Sequence, residues 1–251
     1  MKSIISFVFK KKFLLYLTIV SIVLIFTSST FAWMDDFNDN KDDGWTIIQG
    51  DWEVEEGRYI QTDKEFNNTT TLETYHRSFI GDVNWSDYTV EVDLRVDEPG
   101  DTASIAGLFV RVTEKSDEGN YYFFRIDTRP DQAPAAVESP NNNFRGENGG
   151  KTVGANANDG LQDPAFLDMD KNEVQYHLKV IAEGDHFMYY IDDELIFDVT
   201  DDVDPFLKGA VGVGTFNCEA SFDNLQVTGE GIPKAVNLKY KLAVLWSNIK
   251  K

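Results

Sequence analysis

Acidic side chains are the residues here whose types and spacing could do chemistry. Glu91, Asp93 and Arg95 alternate with Val90, Val92, Leu94 and Val96. On an extended strand every second side chain faces the same way, so the two carboxylates and the guanidinium share one face. Such a face is either solvated or paired across strands. A second acidic group is Asp35-Asp36-Phe37-Asn38-Asp39-Asn40-Lys41-Asp42-Asp43-Gly44-Trp45. Its portion from Asp39 superficially follows an EF-hand loop. Lys41 takes the third position, however, and Gly50 the twelfth, where a bidentate Glu is needed, so an EF-hand is excluded. His76, His177 and His186 are scattered without metal-ligand spacing and suit strand surfaces. No nucleophile elbow or phosphate-binding glycine loop is present.

The elements that position these residues are short and extended. Tyr88 to Val96 alternates apolar and polar, and Tyr176, Leu178, Val180 and Ala182 repeat the pattern. Trp52 to Glu55, a turn at Glu56-Gly57 and Arg58 to Ile60 read as a hairpin. His186 to Ile191, a turn at Asp192-Asp193 and Glu194 to Val199 read as another. Ile105 to Val112 and Tyr121 to Asp127 are more continuously apolar, which predicts central strands covered on both faces. Roughly twelve strands at this spacing predict a two-sheet sandwich. Aromatic residues make up 13% of the chain. Phe109, Phe123, Phe187, Phe197 and Phe216 lie in strand runs and belong to a core. Trp45, Trp52, Trp85 and Tyr75 are the better candidates for exposed stacking on a sugar, although core or edge packing is the favoured reading of each.

Residues 1–32 read as a cleaved secretory leader. Lys2 and Lys10 to Lys12 form its basic start, Phe13 to Phe26 its apolar stretch, and Thr30 and Ala32 a cleavage site before Trp33. The apolar stretch falls short of the ~20 residues of a spanning helix, so no membrane span is expected in the mature protein. The location expected is extracellular or periplasmic. Net charge is −20, and the leader's lysines offset part of the acidity of the remainder. Such acidity opposes nucleic acid as a partner. Cys218 is the sole cysteine and sits in a strand run, as a small buried apolar residue does. Thr128 to Asn172 breaks the pattern with four of the seven prolines and little periodicity, apart from a short strand at Ala135 to Glu138. It is either a surface insertion or a binding segment. Residues 229–251 read as a linker, Gly229 to Pro233, followed by a short basic amphipathic helix carrying Leu238, Leu242, Leu245, Trp246 and Ile249.

In order along the chain come Asp36-Phe37 with Asp42-Asp43-Gly44-Trp45, the Gly50-Asp51-Trp52 to Gly57 hairpin, and the runs Tyr88 to Val96 and Tyr121 to Asp127. Tyr176 to Val180, Tyr190 to Asp193 with Phe197-Asp198, and Ser221-Phe222-Asp223-Asn224 follow. Together they resemble the concanavalin A-like lectin/glucanase superfamily in its laminin-G-like jelly-roll branch, over roughly Trp33 to Thr228. Its members include carbohydrate-binding modules, lectins, adhesive domains, glycoside hydrolases and a family named for 3-keto-disaccharide hydrolysis. The resemblance implies an all-β, two-sheet antiparallel jelly-roll over residues 33–228. Glycosidases of this group carry Glu-x-Asp-x-(x)-Glu on one strand, with carboxylates placed for a retaining mechanism. Glu91-Val92-Asp93-Leu94 matches the start, but Arg95 and Val96 stand where the last acid belongs. A guanidinium cannot protonate a leaving group, so the resemblance does not carry catalysis over to Glu91. In such jelly-rolls the first segment and last strand are neighbours, often stapled by Ca²⁺, and Asp36 and Asp223 match those positions. The expectation is a secreted, non-catalytic module binding a glycan or another extracellular surface. A glycan-acting hydrolase with its site in Thr128 to Asn172, and a structural or adhesive domain without a sugar ligand, are the alternatives.

Overall fold

The computed structural model of the chain describes residues 32–64, 75–100, 104–127, 135–138, 174–201 and 204–233. Fourteen strands lie among them. They are β1 (Ala32–Asp35), β2 (Thr46–Gln49), β3 (Trp52–Glu55), β4 (Arg58–Gln61), β5 (His76–Ile80), β6 (Tyr88–Pro99) and β7 (Ile105–Val112), then β8 (Tyr122–Asp127), β9 (Ala135–Glu138), β10 (Gln175–Glu183), β11 (His186–Ile191), β12 (Glu194–Thr200), β13 (Ala210–Phe216) and β14 (Cys218–Gly229). The larger sheet runs β12-β11-β10-β6-β14-β4-β3, with β1 also paired to β14. The smaller sheet runs β2-β5-β13-β7-β8-β9. The pairings are antiparallel. This is the all-β sandwich that the alternation predicts, with two more strands than the spacing suggested.

The alternation of β6 explains its place. Val90, Val92 and Leu94 are fully buried, while Thr89, Glu91, Asp93 and Arg95 face outward. Leu178 and Val180 on β10 and Phe222 and Leu225 on β14 join the same core, against Leu108 and Val110 on β7 and Tyr122 and Phe124 on β8. Both predicted hairpins form. Glu56 and Gly57 have φ of 50° and 75°, and Asp192 and Asp193 have φ of 49° and 65°. Two successive left-handed residues give the turn whose twist matches the strands it joins. β7 is buried along its whole length, as its continuous apolar run predicts. Its outer side carries a second cluster in which Phe109 and Phe123 stack at 4.1 Å. Cys218 is buried, with its thiol donating to the Ile105 carbonyl at 3.4 Å.

The four candidate stacking rings all pack, as the favoured reading of each has it. Trp85 is buried. Trp45 and Trp52 pack on the Tyr59 ring at 4.8 and 4.7 Å, and Tyr75 packs edge-on against Phe123 at 4.8 Å. Bulky rings fill space that the small β-branched residues of the strands leave open, so all four favour packing over exposed stacking. His76 is buried rather than a surface residue, and Asp63 stands 3.5 Å from its ring. Burial lowers the His76 pKa, with Asp63 opposing. Ile232 is buried in the main core, so the segment after β14 packs on the sandwich instead of serving as a free linker. The leader, most of Thr128 to Asn172 and the C-terminal helix expected beyond Pro233 lie outside the described residues. Ala135–Glu138 does form a strand, paired with β8. Among the described residues, no helix is long and apolar enough to cross a membrane.

Opposite faces of β10 provide the test of this arrangement. Leu178→Ala is expected to cost about 2–5 kcal/mol in chemical denaturation, because it empties core volume. Lys179→Ala, one residue along and outward, is expected to cost under about 1 kcal/mol.

Candidate functional site

A row of charged side chains crosses the outer face of the larger sheet at its middle strands. The register places Asp223 of β14 opposite Asp93 of β6, and Asp93 opposite His177 of β10. Arg58 of β4 extends the row on the far side, its guanidinium 3.9 Å from the Asp223 carboxylate. The order across four adjacent strands is therefore guanidinium, carboxylate, carboxylate, imidazole. Strand alternation creates the row, because each of these residues sits at an outward position whose neighbours, Tyr59, Phe222, Leu94 and Leu178, are buried.

Hydrogen bonds fix each member. His177 Nδ1 lies 2.8 Å from one Asp93 oxygen, and Asn224 Nδ2 donates to the other at 2.9 Å. The His177 backbone N–H donates to the Asp192 carboxylate at 2.8 Å, which ties the row to the β11–β12 turn. Arg58 Nε donates to Ser221 Oγ at 2.8 Å, Nη2 to the Ser221 carbonyl at 3.1 Å and Nη1 to Gln175 Oε1 at 3.2 Å. Arg95, between Ser221 and Gln175 in register, pairs with Asp97. On the next row, Lys179 stands opposite Glu91 and sits 4.7 Å from the centre of the Tyr190 ring.

Asn224 reaches Asp93 because β14 carries a bulge. Asp223 and Gln226 face Asp93 and Glu91, so β14 spends one residue more than β6 across this interval. Asn224 adopts φ of 52° there, a left-handed conformation that Asn tolerates. Bulges re-aim side chains in this way. The sequence holds a trace of it, since the apolar positions run Ala220, Phe222, Leu225, Val227 and skip one beat. Arg58, His177 and Gln175 left no comparable signal. Their role depends on which strands become neighbours.

The field of the row is uneven. Burial raises the Asp223 pKa. The Asn224 N–H and Arg58 pull it back down, and the Asp93 and Asp36 charges push it up. Burial, and then the neighbouring Arg95, lower the pKa of Arg58. Asp36 comes into this field because β1 pairs with β14 beside the bulge, Asp35 facing Leu225. The structure therefore brings together the first and last segments that carry Asp36 and Asp223. Among the described residues, no group of three or more His, Cys, Asp and Glu side chains is arranged to hold a metal ion. The two carboxylates supply a minority of the six to eight oxygens that calcium takes, so backbone carbonyls and water would have to complete its shell. Glu91, Asp93 and Arg95 are outward and, for Asp93, paired across strands, as the alternation predicts. Arg95 occupies the place of a third acid.

The family model for the 3-keto-alpha-glucoside-1,2-lyase-like domain matches residues 32–228. A levanase of Bacillus subtilis (strain 168) is 30% identical over 184 residues, which are 72% of this chain and 22% of that relative. The chain thus spans about a fifth of the relative's length. Among solved structures, the carbohydrate-binding module CBM66 from Bacillus subtilis superposes with a TM-score of 0.52 at 24% identity, covering 74% of this chain and 96% of that one. A Bacillus licheniformis beta-glucanase superposes with a TM-score of 0.51 at 11% identity, covering 81% of this chain and all of that one. The concanavalin A-like jelly-roll expected from the sequence is therefore the fold.

The raised Asp223 pKa has a defined consequence for stability. A carboxyl that gives up its proton less readily when folded makes the folded state less stable as pH rises through the ordinary carboxylate range. Asp223→Asn removes that contribution. In chelator-treated protein the variant is expected to match or exceed the native Tm at pH 7 and to show a flatter rise in stability on acidification toward pH 4, measured by thermal scans across pH.

Proposed function

The chain belongs to the 3-keto-alpha-glucoside-1,2-lyase-like domain family, and we propose that it is a secreted, non-catalytic β-sandwich that binds a glycan through the Arg58–Asp223–Asp93–His177 row. The observation carrying this reading is the row itself. It sets two adjacent carboxylate acceptors between a guanidinium donor and an imidazole, each held by neighbouring strands on the outer face of the sheet. Sugar hydroxyls both donate and accept, and preset partners of both kinds bind them without the cost of ordering mobile side chains. Names among the similar proteins, a levanase and a carbohydrate-binding module, support the ligand class. The leader-like start of the sequence supports secretion.

Neutral gluco- and fructo-oligosaccharides on an array, followed by calorimetry, test this. Arg58→Ala and Asp93→Asn are each expected to weaken binding tenfold or more, about 1.4 kcal/mol, with the fold intact by circular dichroism. A wild-type protein that binds none of these sugars overturns the reading.

One observation favours an enzyme instead. His177 is oriented by Asp93 at 2.8 Å, and an imidazole held by a carboxylate is an arrangement used in general-base catalysis. The family's description names a lyase acting on 3-keto-alpha-glucosides. Turnover of such a sugar that disappears in His177→Ala would move the assignment to this reading. Glu91 has no part in it, so Glu91→Gln leaves any such turnover unchanged.

A calcium ion joining Asp36 and Asp223 is proposed as the structural cofactor. Its support is the excess of negative charge around Asp223, where Asp93 and Asp36 outnumber Arg58. An ion bound only by the folded state at a hundredfold excess over its Kd adds about 2.7 kcal/mol. That corresponds to about 5–10 °C in Tm for a domain of this size. Chelator is expected to lower the Tm of calcium-loaded protein by that amount and to have no effect on Asp223→Ala. An unchanged native Tm removes the ion from the assignment.

A further inference from the structure

A second concave surface lies away from the charged row. It is an open groove of about 620 Å³ at the end of the sandwich where β1, the β5–β6 loop, the β7–β8 loop and the segment after β14 meet. That volume falls within the range of small-molecule sites, roughly 300–1,000 Å³. Trp85, in the β5–β6 loop, precedes the start of β6 at Tyr88. Asp93 is five residues further along that strand, about 17 Å at the rise of an extended chain. The groove and the row are separate places on the molecule.

Its lining combines an aromatic wall with fixed polar groups. Trp33 is half-buried in the groove, and its ring packs on Trp85 with centroids 6.5 Å apart. Trp85 is held in turn. A Cβ added at Gly81 would come within 2.3 Å of the Trp85 ring, and Gly81 has φ of 94°, so a glycine there lets the ring lie flat on the backbone. Asp82 presents a carboxylate oriented by the Asn84 backbone N–H and by Asn84 Nδ2, both at 2.9 Å. These bonds, with the Lys115 charge, hold the Asp82 carboxyl below the usual range. Asp43 and Lys115 complete the polar side. The wall is thus an indole face beside one oriented acceptor pair, a donor amide and an ammonium.

We infer that this groove is a second ligand site, which takes a neutral sugar ring with its C–H face against Trp33 and its hydroxyls on Asp82, Asn84 and Lys115. Two carboxylates against one ammonium, on a chain of net charge −20, disfavour an anionic ligand. A ring with apolar C–H groups on one face and hydroxyls at its rim matches an indole flanked by both donors and acceptors. The inference rests on the glycan-binding reading for its ligand class but not for its location. Two sites on different parts of one domain would let it hold two chains, or two points on one chain, with a gain from effective concentration.

Sucrose is the probe, because it is neutral and carries both a six- and a five-membered ring. The readout is the indole N–H resonance of Trp33 in the full chain, assigned by its loss in Trp33→Phe. A saturable shift is expected in the native protein and equally in Asp93→Asn, in which the charged row is disabled. Asp82→Ala, a change at an exposed side chain, is expected to weaken that response tenfold or more. No shift of the Trp33 resonance overturns the inference, as does a shift lost in Asp93→Asn but kept in Asp82→Ala. Tetramethylammonium shifting the resonance at lower concentration than sucrose also overturns it, in favour of a cation site. Calorimetry separates the two readings. Sucrose affinity reduced by Asp93→Asn with Trp33 silent leaves the row and removes the groove. Affinity reduced only by Asp82→Ala does the reverse.

Discussion

Two carboxylates facing each other across the central strands are the constraint around which the outer face of this sandwich is organised. Asp93 and Asp223 are direct partners in the β6–β14 register. Like charges directly opposite on paired strands repel. At about 5 Å and an effective dielectric of about 20 the repulsion is on the order of 3 kcal/mol before solvent screening. The surrounding residues answer it one by one. His177 and Asn224 each take an Asp93 oxygen, and Arg58 approaches Asp223. The bulge that delivers Asn224 also serves this end. Removing the repulsion by making either residue apolar would have been simpler for stability alone. A sheet that retains both acids keeps a preset pattern of charge on the exposed side, which is the property a polar ligand exploits.

The buried side shows different physics with the same economy of positions. The strands supply β-branched residues and rings alike, and one cluster of rings gathers around Tyr59. Phe37 stacks on Tyr59 at 5.3 Å, and Trp45 and Trp52 close on the same tyrosine. Tyr59 also reaches the opposite sheet, its hydroxyl 2.8 Å from Ser78 Oγ. One side chain therefore links the first segment, both hairpin strands and the smaller sheet. Trp45 and Trp52, which composition offers as sugar platforms, are consumed here, and the row on the outer face of the larger sheet is polar.

The fold was legible because its signal is local. Period-2 alternation in Tyr88 to Val96 and in Tyr176 to Ala182, two-residue turns at Glu56-Gly57 and Asp192-Asp193, and the continuous run Ile105 to Val112 each report a strand or turn from adjacent residues alone. The row was only half legible. Alternation put Glu91, Asp93 and Arg95 outward, whereas the bulge at Asn224 comes to light in the β6–β14 register. Which strands lie beside β6 is a long-range fact, and Arg58, His177 and Gln175 become site residues only through it. His76 was misjudged for a related reason. Alternation fixes which way a side chain points, whereas its burial depends on what covers that face, and β5 is buried along its whole length.

The position of β14 bears on when the molecule can form at all. The last strand lies inside the larger sheet, between β6 and β4, and also holds β1. Residues 218–229 are therefore needed before β1 has its partner and before the β3–β4 hairpin joins the rest of the sheet. The pairs β6–β10–β11–β12 and β3–β4 form without it, but the two parts of the larger sheet join only when this last strand is in place. Contacts of such long sequence separation fold slowly.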